Sequence, residues 1–266
     1  MSSCATSSQP TPATANFIGP LLPDIWIEVF RYLDAQSLMN MAEAVPEVKS
    51  TAFSRTILRR VTFAPETNEQ TVNKFLEAID EKLVQDKQQA DDARSLHPVE
   101  ELRFTGCRTL PSRAIIICAG HFSNLRELYC VKCVLQPDEL FSMLSLRLKC
   151  LKTLHWSIFD CHICELKMYS DAMLEIRSLA MSDVSPSVNS MYVEVAATAM
   201  TVLLFHTFVG SCGSLRSLHV HAMLPQYSAA STVQTFYGIV DWNLQNIGRI
   251  RDRMVNLETW KFTSEL

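Results

Sequence analysis

The chain has 266 residues, 48% of them apolar and 20% charged, with a formal net charge of −4. That supplies a sizeable core for one or two globular domains. A slightly acidic balance, with Lys and Arg dispersed, argues against a nucleic-acid binder, which needs a concentrated basic field.

The nine cysteines are odd in number and the chain is too long to need staples. The start lacks a basic n-region and an apolar h-region, so it does not read as a secretory signal. Together these features point to reduced thiols in the cytosol or nucleus. Residues 1–19, rich in Ser, Thr, Pro and Ala without periodicity, read as a disordered tail.

Order is expected from Leu22-Pro23, where Pro suits the first position of a helix and Asp24 and Glu28 complement the helix dipole. Ile25, Trp26, Ile27, Val29, Phe30 and Leu33 make this short helix apolar on more than one face, so part of it should meet a second molecule. Asp34 caps a second short helix carrying Leu38, Met41 and Val45. Pro46 interrupts, and a third segment carries Phe53, Ile57 and Leu58.

A repeat follows, with apolar residues at i, i+3 and i+5 and a small or apolar residue at i+8. A weak unit, Leu58, Val61, Phe63, opens the series. The clear units are Val99-Leu102-Phe104-Cys107, Leu125-Leu128-Cys130-Cys133, Leu151-Leu154-Trp156-Phe159, Ile176-Leu179-Met181-Val184, Leu215-Leu218-Val220-Met223 and Leu257-Trp260-Phe262. Each begins with a strand of period two. The best connecting helix spans 68–93, with Val72, Phe75, Leu76, Ile79 and Leu83 on one stripe. Others are expected in 111–121, 137–149, 191–209 and 231–250. The uncharged stretch Val195 to Leu215 contains His206 and two Gly, and reads as a buried helix rather than a membrane span. A one-strand, one-helix unit cannot bury its own apolar edge. Stacked units can, giving a curved parallel sheet with helices outside, an α/β solenoid.

Leu22-Pro23, Ile27, Phe30, Tyr32-Leu33, Asp34 and Leu38, followed by these repeats, resemble the F-box family joined to leucine-rich repeats. After the tail over 1–19, the resemblance implies an F-box over 20–63 and a leucine-rich-repeat domain over 64–266. It also implies a role as the substrate-recognition subunit of a Skp–cullin–F-box ubiquitin ligase. The F-box would dock a Skp-type adaptor, and through it a cullin and a RING subunit, while the repeats present a protein substrate for ubiquitination and proteasomal degradation. Leu22, Pro23, Ile27, Phe30, Leu33 and Leu38 map onto the family's adaptor-facing positions. Ubiquitin transfer itself would come from the partners. The alternative is a non-catalytic repeat scaffold that binds a protein partner with no role in degradation.

Strand alternation points the i+2, i+4 and i+6 residues away from the core. The expected concave face carries Glu101, Arg103, Glu127, Tyr129, Thr153, His155, Ser157, Ser178, Ser182, Ser217, His219, His221, Thr259 and Lys261. Of these, Glu101, Arg103, Glu127, Tyr129, His155, His219, His221 and Lys261 are the candidate substrate contacts. Cys130-x-x-Cys133 and Cys161-His162-x-Cys164 look like halves of a zinc site. Cys130 and Cys133 nevertheless fall on repeat positions where a thiol packs, and the sequence is read as metal-free and without a cofactor. No P-loop, G-x-S-x-G or H-E-x-x-H is present, so the chain reads as non-catalytic.

Overall fold

A computed structural model describes residues 23–89, 98–158, 186–196, 207–223 and 258–264, together with residue 174. It is an α/β arrangement whose centre is a seven-stranded, all-parallel sheet in simple sequential order: β1 (Arg60–Phe63), β2 (Glu101–Thr105), β3 (Glu127–Val131), β4 (Thr153–Ile158), β5 (Ser190–Ala196), β6 (Ser217–Met223) and β7 (Thr259–Ser264). Four helices and a 3-10 turn precede the sheet: α1 (Pro23–Phe30), α2 (Ala35–Ala44), the turn Pro46–Val48, α3 (Lys49–Ala52) and α4 (Arg55–Leu58). Three longer helices follow β1, β2 and β3 respectively: α5 (Glu69–Gln89), α6 (Ser112–His121) and α7 (Pro137–Leu146). Among the described residues no helix is long and apolar enough to cross a membrane.

Local chemistry explains where the early helices start. Asp34 accepts the Ser37 N–H at 2.8 Å at the N-cap of α2, and Asn68 does the same for the Thr71 N–H at 2.9 Å before α5. Each satisfies a donor that the first helical turn leaves without a partner. The Thr71 hydroxyl then donates to Gln36 Oε1 at 2.9 Å and ties α5 to α2.

Register does the rest. Pairing places Val61, Leu102, Leu128, Leu154, Met191 and Leu218 in one inward row, and Phe63, Phe104, Cys130, Trp156, Val193 and Val220 in the next. All twelve are buried. Phe63 stacks on Phe104 with centroids 4.8 Å apart and meets Phe75 of α5 edge-on at 5.5 Å. Trp156 lies 4.8 Å from Phe208, in the helical turn at 207–210, and Phe208 meets Phe141 of α7 at 5.2 Å. Helices thus cover the face carrying these two rows, and a single apolar cluster runs from Phe30 in α1 to Val220 in β6.

The i+8 cysteines bind neighbouring units together. The Cys107 thiol donates to Ala64 O at 3.1 Å, and Cys133 donates to Phe104 O at 3.3 Å. Each thiol therefore satisfies a carbonyl where the preceding unit leaves the sheet, a use of cysteine as a small apolar residue with a weak donor.

Three expectations change. The unit read at Ile176-Leu179-Met181-Val184 lies outside the described residues, and β4 pairs directly with β5 at 190–196, leaving no place for a strand between them. The strand that follows β4 obeys the same template from Val188, with Met191 and Val193 inward. Second, the segment 191–209 expected as a helix is strand up to Ala196 and helix at 207–210 among the described residues; 197–206 lie outside them. The uncharged stretch from Val195 therefore begins in β5 and ends in the turn before β6. β-branched and aromatic residues in Tyr192-Val193-Glu194-Val195 favour the extended form. Third, β1 ends at the boundary drawn at 63 yet is hydrogen-bonded to β2, so the sheet begins inside the segment assigned to the first domain. The helix expected over 231–250 lies outside the described residues.

Phe104→Ala should cost about 3–5 kcal/mol by the usual cost of emptying a buried aromatic site, read as a lower midpoint in urea. Val188→Asp places an unpaired carboxylate in the core and should abolish cooperative unfolding. A wild-type midpoint for Val188→Asp would place β5 outside the core.

Candidate interaction surfaces

The residues between the inward rows form the opposite face of the sheet. Among the described residues no helix packs on it, and its side chains are half-buried or exposed apart from Glu101 and Ser157. One register row carries Thr62, Arg103, Tyr129, His155, Tyr192, His219 and Lys261, one residue per strand. Adjacent strands are about 4.8 Å apart, close enough for rings at equivalent positions to touch. The Arg103 guanidinium lies 4.0 Å over the Tyr129 ring. Tyr129 stacks on His155 at 4.3 Å, His155 on Tyr192 at 5.2 Å, and His219 meets Tyr192 edge-on at 4.7 Å. The ladder therefore begins in a cation–π contact, continues through four rings, and reaches exposed Lys261.

The flanking rows fix this ladder in place. Glu101 is buried and accepts from Arg60 Nε at 2.5 Å and from Arg103 Nε. The Tyr129 hydroxyl donates to Glu127 at 2.9 Å. On the other side Ser157, itself buried, donates to Glu194 Oε2 at 2.7 Å and accepts the Lys132 N–H at 3.1 Å. Lys132 holds a φ of +55°, a left-handed turn that aims this N–H at the serine. Ser157, Glu194 and His221 occupy one register row, but the carboxylate stands between hydroxyl and imidazole. Among the described residues no imidazole is placed to draw the proton from Ser157, so the row lacks the order of an activated serine.

Sequence reading thus located Glu101, Arg103, Glu127, Tyr129, His155, His219, His221 and Lys261 on one face, and the structure brings them together. It missed Ser190, Tyr192 and Glu194, because the fourth unit was set at 176 instead of 188. Ser178 and Ser182 lie outside the described residues. The signal that would have found Tyr192 was a second match to the same apolar template.

The front helix divides differently from expectation. Phe30 and Leu38, both assigned to the adaptor-facing edge, are 1% and 4% exposed and belong to the module's own core. Trp26 stacks on Phe30 with centroids 5.4 Å apart, and Trp26, Ile27 and Leu33 pack partly buried against that core. α1 packs on α3 and α4, and Phe30 is needed inside because these short helices offer few other large side chains. Leu22 lies outside the described residues, and Pro23 opens α1. The outward apolar residues are Ile25 and Val29, one turn apart on α1, and Tyr32 in the turn that follows, at 44%, 39% and 86% exposure.

Beside Tyr32 a cleft of about 860 Å³ separates α1 and α4 from the starts of β1, β2 and β3. Arg31, Arg55, Arg59, Arg60 and Arg126 line it, together with Glu28, Glu100, Glu101 and Glu127. Arg59 pairs with Glu100 at 3.1 Å and Arg60 with Glu101, so most of the cleft's charge is compensated within it.

Among the described cysteines Cys107, Cys118, Cys130, Cys133 and Cys212 are buried in the packing, and Cys150 is exposed. Among the described residues no three His, Cys, Asp or Glu side chains converge as a metal site. Cys130 is fully buried in the inward row, and burial pushes its thiol and that of Cys118 up, and that of Cys212 up to about 12. Thiols held protonated are poor nucleophiles. Cys161, His162 and Cys164 lie outside the described residues.

The ladder carries a pH signature. Burial, then the Arg103 charge, holds the His155 imidazole below its ordinary value of 6.5, with His219 adding to this while Glu127 and Glu194 oppose it. Burial, then Lys261 and His221, does the same to His219. In the window below 6.5 the unfolded chain takes up protons that the folded ladder refuses, so stability is full above that value and falls as the pH drops through the window. The urea midpoint should therefore fall between about pH 7.5 and pH 5, and fall less in His155→Phe; equal slopes would remove the imidazole from this account. No protein-family model matches this chain, and no curated protein matches it.

Proposed function

We propose that this chain is the substrate-recognition subunit of a Skp–cullin–F-box ubiquitin ligase. In this reading the helices from Pro23 to Leu58 are an F-box module, and the parallel sheet with its crossovers is a leucine-rich-repeat solenoid that presents a protein substrate. The observation that carries it is the pair Ile25 and Val29, with Tyr32 beside them, left outward on a helix whose other side packs on its own core through Phe30, Trp26 and Ile27. Exposed aliphatic side chains backed by an aromatic make a compact surface suited to desolvation by a partner. The repeating strands supply the second half of the argument, because they build a wide face on which, among the described residues, no helix packs.

The adaptor contact now rests on Ile25, Val29 and Tyr32, with Ile27 and Leu33 at its margin, rather than on Phe30 and Leu38. Co-expressed with a Skp-type adaptor, the chain should co-elute with it and recruit a cullin. Ile25→Asp with Val29→Asp should weaken the complex at least about tenfold, since each interface truncation typically costs about 1–4 kcal/mol. The circular dichroism melt should be unchanged. Phe30→Ala should instead lower the melt. Failure of the wild-type chain to bind the adaptor, or full binding by the double variant, would overturn the docking assignment. Adaptor binding without cullin recruitment would favour the scaffold without a degradation role.

A further inference from the structure

Two buried thiols hold the same place in consecutive units. Cys107 follows β2 and Cys133 follows β3, and pairing sets Thr105, two residues before the first, level with Val131, two residues before the second. The residue in between passes through the left-handed region in both turns, Gly106 at a φ of +73° and Lys132 at +55°. The two turns therefore share one geometry, and each points its thiol back at the preceding unit. Cys107 Sγ lies 3.7 Å from Phe63 O and Cys133 Sγ lies 3.3 Å from Phe104 O, and these two residues are themselves level across β1 and β2. Equivalent positions of adjacent strands are about 4.8 Å apart. That falls inside the Cα span of about 4.4–6.8 Å that a disulfide bridges.

The thiols also meet each other. A hydrogen bond from Cys133 holds the Cys107 thiol below its ordinary value, against the effect of burial, and the same bond pushes Cys133 up. In such a pair the sulfur whose thiolate is favoured attacks, and the one that keeps its proton follows. Cys118 and Cys130, both raised first by burial, show no such division. The pair stands at the end of the sheet, with Thr105, Arg108 and Lys132 exposed around it. A small oxidant therefore reaches it through local opening of two turns rather than of the core.

We propose that Cys107 and Cys133 form a reversible disulfide site that responds to a hydroperoxide. The Cys107 thiolate attacks the peroxide. Its S–O bond forms as the O–O bond breaks, and the released alkoxide or hydroxide takes up a proton. Cys133 then gives up its proton and attacks the sulfenic acid on Cys107. The S–S bond forms, the S–O bond breaks, and the leaving hydroxide takes that proton as water. The two thiols lose two electrons together, and the peroxide gains them. The product joins the β2 and β3 units covalently beside the point where the Gly106 N–H donates to Val131 O at 2.8 Å. In a reducing compartment such a bond is transient, which suits regulation rather than support. The inference is independent of the ligase reading.

The test treats the native full chain with hydrogen peroxide, blocks the remaining thiols before unfolding, and maps tryptic peptides without reductant. Cleavage after Lys132 separates Cys133 from Cys130, so the linked species is unambiguous. The peptide Phe104–Arg108 should appear joined to Cys133–Arg147, about 2 Da lighter than the two together, and dithiothreitol should release both. Exposed Cys150 reports that oxidant was delivered. Cys133→Ser keeps a donor beside Cys107 but cannot close the bond. Cys107 should there accumulate as a sulfenic acid that a cyclic diketone probe labels, and Cys133 should label much less in Cys107→Ser. Oxidation of Cys150 with Cys107 and Cys133 still free, a bridge from Cys107 to Cys118 or Cys130, or equal labelling in the two variants would each overturn the proposal. The wild-type map needs no substitution, so it decides even where a variant fails to fold.

Discussion

Everything in this molecule depends on unbroken parallel register. Val61 to Leu218 and Phe63 to Val220 are each a single line of inward side chains, one from each of β1 to β6. A parallel strand with one helix cannot cover its own apolar edge, so each unit is stable only because the next one closes it. The same pairing that aligns the core also aligns the opposite face. Arg103, Tyr129, His155, Tyr192 and His219 touch because Leu102, Leu128, Leu154, Met191 and Leu218 are level. A shift of one residue in any strand would carry its rings into the core and its leucine into water.

The repeating strands were readable because burial on one side imposes period two together with the apolar positions at i, i+3 and i+5. The units at Val99, Leu125, Leu151, Leu215 and Leu257 all lead into observed strands, and α5, α6 and α7 fall within the expected segments. The unit at Ile176 was chosen because it kept a spacing near 25 residues. Nothing in the physics of stacking requires even spacing, since a crossover can lengthen while register is preserved. Val188-Met191-Val193 fits the template equally well, and only pairing with Leu154 and Trp156 distinguishes the two.

The surplus of apolar surface on α1 was legible as a quantity rather than as a residue list. Too many apolar side chains stand on α1 for so small a module, and some do remain outside. Which ones remain is a packing question. Leu38 is drawn inward where α2 meets α3 and β1, and Phe30 where α1 meets α3 and α4, a junction that a large ring fills better than Ile25 could. Charge told even less. Glu101 reads on paper as an exposed strand residue, yet two arginines converge on it and bury it.

The short connection between α4 and β1 has a mechanical meaning. α4 ends at Leu58 and β1 begins at Arg60, and the apolar cluster runs through that junction without a break. There is no hinge to swivel on. A molecule seated against Ile25 and Val29 would take a fixed bearing toward anything resting on the open face of the sheet. The reach between two such guests is therefore set by the count of strands, and inserting or deleting one repeat would move the far guest by a whole step.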